Sequence, residues 1–203
     1  MIQSIELDGK WLFLADQEKR YTGFSPERSA FQDTIHLPAT TAQEHKGIPN
    51  QAREIGFLTE VYPYMGNAWF LREIEIPREL QGKRMQLFLE RTRITSVWVN
   101  GTYVGSQNSL CTPHCYDISG FSGSEKLTIC ICVDNVQYMT AGGHMTSPDT
   151  QTNWNGITGE ISLRFYESDC ITSVKAVPDY QRKRVTFQLR TQGHVHTVKA
   201  EGT

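Results

Sequence analysis

The sequence predicts an all-β protein, on three observations. Short runs that are apolar or alternate between apolar and polar residues recur along the chain, each bounded by turn residues. Asn100-Gly101 separates two of these runs, and this pair accepts the positive φ that a two-residue hairpin turn requires. Apolar residues at helical spacing are scarce. The expected strands cover residues 11–15, 34–37, 69–77, 85–90, 96–99 and 127–133.

The run from 127 to 133 predicts a strand in the centre of a sheet. Alternate residues of a strand point to opposite faces of the sheet. One face receives Leu127, Ile129, Ile131 and Val133, and the other receives Thr128, Cys130, Cys132 and Asp134. Since both faces are fairly apolar, both are expected to be covered.

A second group of strand-like runs follows Tyr166, at residues 170–177, 184–191 and 194–200. Three strands are too few to close a sandwich. We therefore expect a boundary at 167–169, with one domain over residues 1–167 and an incomplete second β domain over 168–203.

The charge balance and hydropathy exclude some partners. The 203 residues carry a formal net charge of −2, without a block of Lys and Arg, which argues against a nucleic-acid partner or an anionic membrane surface. No window of 18 apolar residues is present, so no membrane-spanning helix is expected. The first residues lack the pattern of a signal peptide. The compartment stays open: periplasmic or extracellular if a signal peptide was removed, otherwise cytoplasmic.

The five cysteines do not predict a disulfide framework or a metal site. Cys130, Cys132 and Cys170 lie in apolar runs where buried thiols are common. Cys111, His114 and Cys115 could suggest zinc, but a structural site needs four ligands and no second cluster follows. We predict no metal and no cofactor.

The loop before the strand that starts at Gly156 is the candidate binding site. It contains Asp149, Thr150, Gln151, Asn153 and Trp154, followed by Asn155. Carboxylate and amide groups can pair with sugar hydroxyls, and an indole can cover the apolar face of a pyranose. In the alternative interpretation, the polar side chains bond to their own backbone and Trp154 anchors the loop on the core.

No catalytic pair is predicted. Glu73 and Glu75 lie two residues apart on one strand, so they project side by side from the same face instead of flanking a bond. We interpret them as part of a solvated face. Glu90 is expected to form ion pairs with Arg91 and Arg93.

Five ordered blocks, at 37–40, 62–77, 82–105, 112–119 and 153–163, resemble the amino-terminal sugar-binding domain of glycoside hydrolase family 2. That family includes β-galactosidases, β-glucuronidases and β-mannosidases. The resemblance implies a galactose-binding-like jelly-roll β-sandwich, followed by the start of an immunoglobulin-like β-sandwich. It also implies that the catalytic carboxylates lie on a (β/α)₈ barrel, which needs about 250 residues and is absent here. This chain alone is expected to be catalytically inactive, and its parent to be an exo-β-glycosidase.

The resemblance also implies a role for the loop. In the family, an acidic residue before the Gly-Ile strand reaches the barrel's pocket and bonds the terminal sugar. β-Glucuronidases and β-galactosidases keep that acid six positions before the glycine, where this sequence has Thr150. Asp149, Gln151 or Asn153 is therefore the expected substitute.

Three hypotheses follow for the function. The chain is the non-catalytic domain of a family 2 exoglycosidase, with carbohydrate and the barrel as its partners. Alternatively, it is a stand-alone carbohydrate-binding module or lectin, or a scaffold that packs on another domain. The stop at Thr203 within the second group of strands favours the first and third hypotheses.

Overall fold

The computed structural model describes residues 2–51, 60–138, 143–147, 152–194 and 197–199. Its regular elements are nearly all strands. The strands are β1 Gln3–Glu6, β2 Gly9–Asp16, β3 Asp33–Leu37, β4 Ala39–Thr40, β5 Asn67–Glu75, β6 Arg84–Thr92, β7 Ile94–Val99, β8 Thr102–Gln107, β9 His114–Asp117, β10 Lys126–Asp134, β11 Gly156–Tyr166, β12 Cys170–Asp179 and β13 Arg184–Gln192. Single 3₁₀ turns cover Arg28–Ala30, Arg78–Leu80, Ser119–Phe121 and His144–Thr146. Among the described residues, no helix is long and apolar enough to cross a membrane.

The strands form two antiparallel sheets and a separate hairpin. The first sheet has the order β1-β11-β6-β9, with β4 also paired to β11. The second has the order β3-β2-β5-β10-β7-β8. Their facing sides share one apolar core, to which Trp11, Phe70 and Ile131 contribute from the second sheet and Leu87 and Ile161 from the first. The predicted all-β sandwich is confirmed.

The second sheet also carries an apolar cluster on its outer face, the side turned away from this core. It consists of Phe31, Trp69, Leu71, Trp98, Cys130 and Cys132. Strand β10 supplies residues to both clusters and lies between β5 and β7, as its two apolar faces predict. Trp98 is buried in this cluster, with 5% of its surface exposed.

The Asn100-Gly101 turn joins β7 to β8 as predicted. Both residues have positive φ, at 49° and 77°. The Asn100 side-chain oxygen accepts a hydrogen bond from the Thr128 N–H at 2.8 Å, which ties the turn to β10.

The tail forms the antiparallel pair β12–β13, a two-stranded sheet of its own. Val174, Phe187 and Leu189 on this pair are exposed. The strand predicted at 194–200 is wrong for its described residues, since 194 and 197–199 lie in no strand.

Candidate functional site

A buried arginine holds the described part of the loop that precedes β11. Arg93 lies between β6 and β7, and its side chain is fully buried. Its Nε donates to the Trp154 carbonyl at 3.0 Å, and its Nη1 donates to the Met145 carbonyl at 3.2 Å. Its Nη2 donates to the Thr152 carbonyl. One guanidinium therefore fixes three points of the loop, and the carbonyls replace the water that the charge loses.

Trp154 covers the same guanidinium. The Arg93 Cζ lies 4.7 Å from the centroid of the indole, a distance that favours a cation–π interaction. The Trp154 side chain is half-buried and forms one wall of a surface groove. The anchoring role expected for this residue is therefore present, and its other surface still faces the groove.

Two asparagine side chains attach the base of the loop to the core. The Asn155 Nδ2 donates to the carbonyls of Gly66 at 3.0 Å and Val133 at 3.1 Å. The Asn135 Nδ2 donates to the Asn153 carbonyl at 3.2 Å. These bonds replace strand pairing at a place where the backbone is irregular.

Asn153 is itself buried, with 6% of its surface exposed. Its Nδ2 points at the Met65 sulfur, 3.1 Å away. The structure thus places Asn153 beneath the loop and Trp154 at its surface. Asp149, Thr150 and Gln151, the other residues predicted for this site, lie outside the described residues.

Gly156 begins β11 in a conformation that needs glycine. Its φ is +126°, and a Cβ at this position would lie 2.4 Å from the Ala39 carbonyl oxygen. The close approach allows β4 to pair with the first two residues of β11. The described part of the loop is therefore held by Gly156 at its end and by Arg93 at three backbone carbonyls.

The groove has a volume of about 550 Å³. The described residues that line it are Thr40, Ala42, Gln43, His45, Glu60, Val61, Tyr62 and Trp154. The His45 and Tyr62 rings are stacked, with their centroids 4.7 Å apart, on the side of the groove formed by the segment that follows β4. Aromatic surfaces next to amide and carboxyl groups are the combination that sugars need.

Glu60 is the acidic residue of the groove. Burial raises the pKa of its carboxyl, and the positive charge of Arg93 partly opposes that rise. A carboxyl with a raised pKa can donate as well as accept hydrogen bonds over a wider pH range. Sequence reasoning did not select Glu60; the resemblance block that starts at Tyr62, two residues later, was the available signal.

Other candidates from the sequence are explained by local contacts. Glu73 and Glu75 are exposed, and the Lys126 ammonium, 2.7 Å from Glu73, lowers the pKa of that carboxyl. The predicted solvated face is confirmed. The Glu90–Arg91 ion pair is present at 3.1 Å, but the pairing expected of Arg93 is wrong, because its guanidinium binds carbonyls instead.

His114 is buried and does not line the groove beside Trp154. Its Nε2 donates to the Ser109 carbonyl at 2.9 Å, so its Nδ1 accepts from the Thr95 hydroxyl at 2.5 Å. Burial lowers the pKa of this imidazole, which stays neutral. Cys111 and Cys115 are exposed free thiols. In the described ranges, no three His, Cys, Asp or Glu residues come together as a metal site would need.

Known proteins match most of this chain. Residues 4–166 match the family model described as glycosyl hydrolases family 2, sugar binding domain. A β-glucuronidase of Paenibacillus borealis is 28% identical over 134 residues, which make up 64% of this chain and 21% of that protein. The chain therefore spans about a fifth of the length of this relative.

Solved structures of β-glucuronidases share the fold of this chain. The Faecalibacterium prausnitzii enzyme has a TM-score of 0.66 at 19% identity, over 95% of this chain and 36% of that one. The Ruminococcus gnavus enzyme in complex with D-glucaro-d-lactam has a TM-score of 0.67 at 17% identity, over 95% of this chain and 34% of that one. At these identities the likeness shows a shared fold.

Proposed function

Because the chain belongs to the sugar binding domain family of glycosyl hydrolases family 2, we propose that it serves a β-glucuronidase-type enzyme as its non-catalytic domain. In this role it lends the loop before β11 to the rim of an active site on a (β/α)₈ barrel. The Paenibacillus borealis relative is named a β-glucuronidase, and the Ruminococcus gnavus enzyme forms a complex with D-glucaro-d-lactam. Both support a uronic acid at the terminal position of the substrate.

The observation that carries this proposal is the set of contacts that Arg93 makes with the loop, three hydrogen bonds to carbonyls and the stacked Trp154. We call this set the clamp. A loop that shapes a neighbouring active site must keep its position while no substrate is bound. The three carbonyl bonds and the stacked Trp154 supply that rigidity from one residue of the sandwich. Asp149, Thr150 and Gln151 lie in sequence between residues that are held in this way. We expect one of them, or Trp154 through its free surface, to contact the terminal sugar.

The tail fits the same proposal. We take residues 1–167 as the sugar-binding domain and 168–203 as the first part of an immunoglobulin-like domain. The family match ends at 166, and the β12–β13 pair has its own sheet. The exposed apolar side chains of Val174, Phe187 and Leu189 suit a sheet face that further strands would cover.

Kinetics of the full-length gene product test the proposal. We expect hydrolysis of p-nitrophenyl β-D-glucuronide by the full-length protein and none by residues 1–203 alone. In the full-length protein, Trp154→Ala should lower kcat/KM by about tenfold or more, since each tenfold corresponds to about 1.4 kcal/mol of lost transition-state binding. Tyr103→Ala, which changes an exposed ring on β8, is the matched control and should leave kcat/KM unchanged.

Two results would contradict this function. One is equal kcat/KM for the wild type and Trp154→Ala. The other is glycoside hydrolysis by residues 1–203 alone that is lost on substitution of its own carboxylates. A full-length protein that hydrolyses galactosides but not glucuronides would leave the rim role intact and refute the substrate assignment.

A further inference from the structure

A second cleft lies on the outer face of the second sheet and shares no lining residue with the groove beside Trp154. Its volume is about 250 Å³. The described residues that line it are Lys19, Tyr21, Thr22, Gly23, Asn67, Trp69, Ile94, Ser96, Trp98, Ser106, Cys132, Asp134 and Gln137. Sites for drug-sized ligands typically measure about 300–1,000 Å³, so this cleft has room for about one small ring.

Two residues that line the cleft, Asn67 and Asp134, belong to a polar row that runs across three adjacent strands. Asn67 on β5 pairs in register with Asp16 on β2 and with Asp134 on β10. Asn67 lies two residues before Trp69, and Asp134 two residues after Cys132, so both share the outer face with the apolar cluster. A row of two carboxylates and one amide therefore crosses the sheet beside the tryptophans.

Both carboxylates have their partners. Asp16 accepts hydrogen bonds from the Arg20 N–H at 2.9 Å and from the Trp69 indole at 3.3 Å. Asp134 accepts from the Lys19 ammonium at 2.8 Å and from the Val136 N–H at 2.7 Å.

The Asn67 side-chain amide, which lies between these two carboxylates in the row, lacks one partner. Asn67 is 9% exposed, and its Oδ1 has no hydrogen-bond partner among the described residues. Asn67 lines the cleft, and its Oδ1 is itself buried. Buried polar atoms nearly always have a partner, so this acceptor is short of one donor, which a ligand or water that enters from the cleft supplies.

The rest of the cleft favours a neutral ligand with hydroxyl groups. The two charged residues that line it are paired, since the Asp134 carboxylate lies 2.8 Å from the Lys19 ammonium. Beside the cleft, the Asp16 carboxylate lies 3.5 Å from the Arg20 guanidinium. The Ser106 hydroxyl donates to the Thr95 carbonyl at 2.8 Å, which leaves its oxygen able to accept.

Aromatic side chains supply the apolar wall. The Trp69 and Trp98 rings pack 5.1 Å apart, and the half-buried Tyr21 ring lies 6.2 Å from Trp69. We propose that this cleft is a second binding site, for one neutral sugar ring or a polyol of similar size. A ligand hydroxyl donates to the Asn67 Oδ1, and the C–H face of the ligand packs on the aromatic wall.

Indole N–H signals of residues 1–203, observed by ¹⁵N NMR during sugar titrations, can locate this site. The four tryptophans give four signals, and Trp69 and Trp98 report on the cleft while Trp154 reports on the groove. We expect methyl β-D-glucoside or methyl β-D-galactoside to shift the Trp69 and Trp98 signals saturably, with a Kd on the order of 1 mM. Glucuronate should bind about tenfold more weakly or not at all, because Lys19, the cation that lines the cleft, already pairs with Asp134 and offers no net positive charge to a ligand carboxylate.

Ser96→Leu should abolish these shifts by filling the cleft from β7. Thr128→Leu is the matched control. Thr128 is half-buried on β10, on the same face of the sheet as Cys132, and does not line the cleft. Asn67→Leu should weaken binding at least tenfold, and a wild-type-like spectrum of the other indoles would show that the variant is folded.

Three outcomes would overturn the proposal: no saturable shift of Trp69 or Trp98 with either neutral glycoside, shifts that persist in Ser96→Leu, or shifts confined to Trp154. The last would place the only sugar contact of this chain in the groove. None of the three bears on the hydrolysis tests of the full-length protein.

Discussion

Replacing Arg93 with methionine tests the clamp, because methionine keeps an unbranched side chain of similar reach and removes every donor. Each hydrogen bond to a charged group contributes about 1.5–3 kcal/mol, and the stacked indole adds about 0.5–2 kcal/mol. The three bonds do not add fully, since water can reach some carbonyls once the loop moves. We expect Arg93→Met to lower the free energy of unfolding by about 3–5 kcal/mol, the range for a buried charge network that loses one partner.

Urea denaturation followed by tryptophan fluorescence and by circular dichroism measures this loss. Arg91→Met is the matched control: Arg91 is exposed and forms an ion pair with the neighbouring Glu90, so the expected loss is under about 0.5 kcal/mol. Hydrogen exchange in Arg93→Met should rise first at residues 143–147 and 152–155. A loss below about 1 kcal/mol with unchanged exchange in these segments would refute the clamp.

Three further predictions concern single sites. Gly156→Ala should cost about 2–4 kcal/mol by thermal denaturation, because its Cβ would meet the Ala39 carbonyl at positive φ, whereas Gly123→Ala, with open space around it, should change stability by less than about 0.5 kcal/mol; equal costs would contradict the close approach. Burial lowers the pKa of His114, so the unfolded chain binds a proton below its ordinary pKa of about 6.5 while the folded chain does not. Stability should therefore fall as the pH drops from about 6.5 toward the folded pKa, and this part of the pH dependence should be missing in His114→Gln; parallel curves for the two proteins would be evidence against it. Cys111 is exposed and should be alkylated first in the native protein, while Cys130, whose pKa burial raises to about 12, and Cys132 should react only in denaturant, as peptide mass spectrometry can check; equal rates would show that the outer cluster opens.

Local patterns were sufficient for the sandwich. The alternation in β10 and the Asn100-Gly101 turn each depend on a few neighbouring residues, and the structure confirms both. The two-sided burial of β10 could also be predicted, because neither of its faces is strongly polar.

Arg93 shows where such patterns fail. Its sequence neighbours, Glu90 and Arg91, suggested an ion pair. Its actual partners are carbonyls 52 to 61 residues further along the chain, and backbone carbonyls carry no sequence signal. The same holds for Asn67, whose unpaired oxygen becomes visible only when β2, β5 and β10 are placed side by side.

The clamp explains how the described part of the loop, residues 143–147 and 152–155, is fixed although it lies in no strand. Strands β6 and β7 leave Arg93 at the junction between the two sheets, where its side chain reaches backbone that has no strand neighbour. Because the guanidinium supplies several donors from one residue, the described part of the loop is held without strand pairing, and the half-buried Trp154 keeps a surface for contacts outside the sandwich. Loss of Arg93 should therefore release the loop while the shared core of the two sheets still holds. In a full-length enzyme, loss of Arg93 would therefore lower the affinity for substrate under conditions in which the domain is still folded.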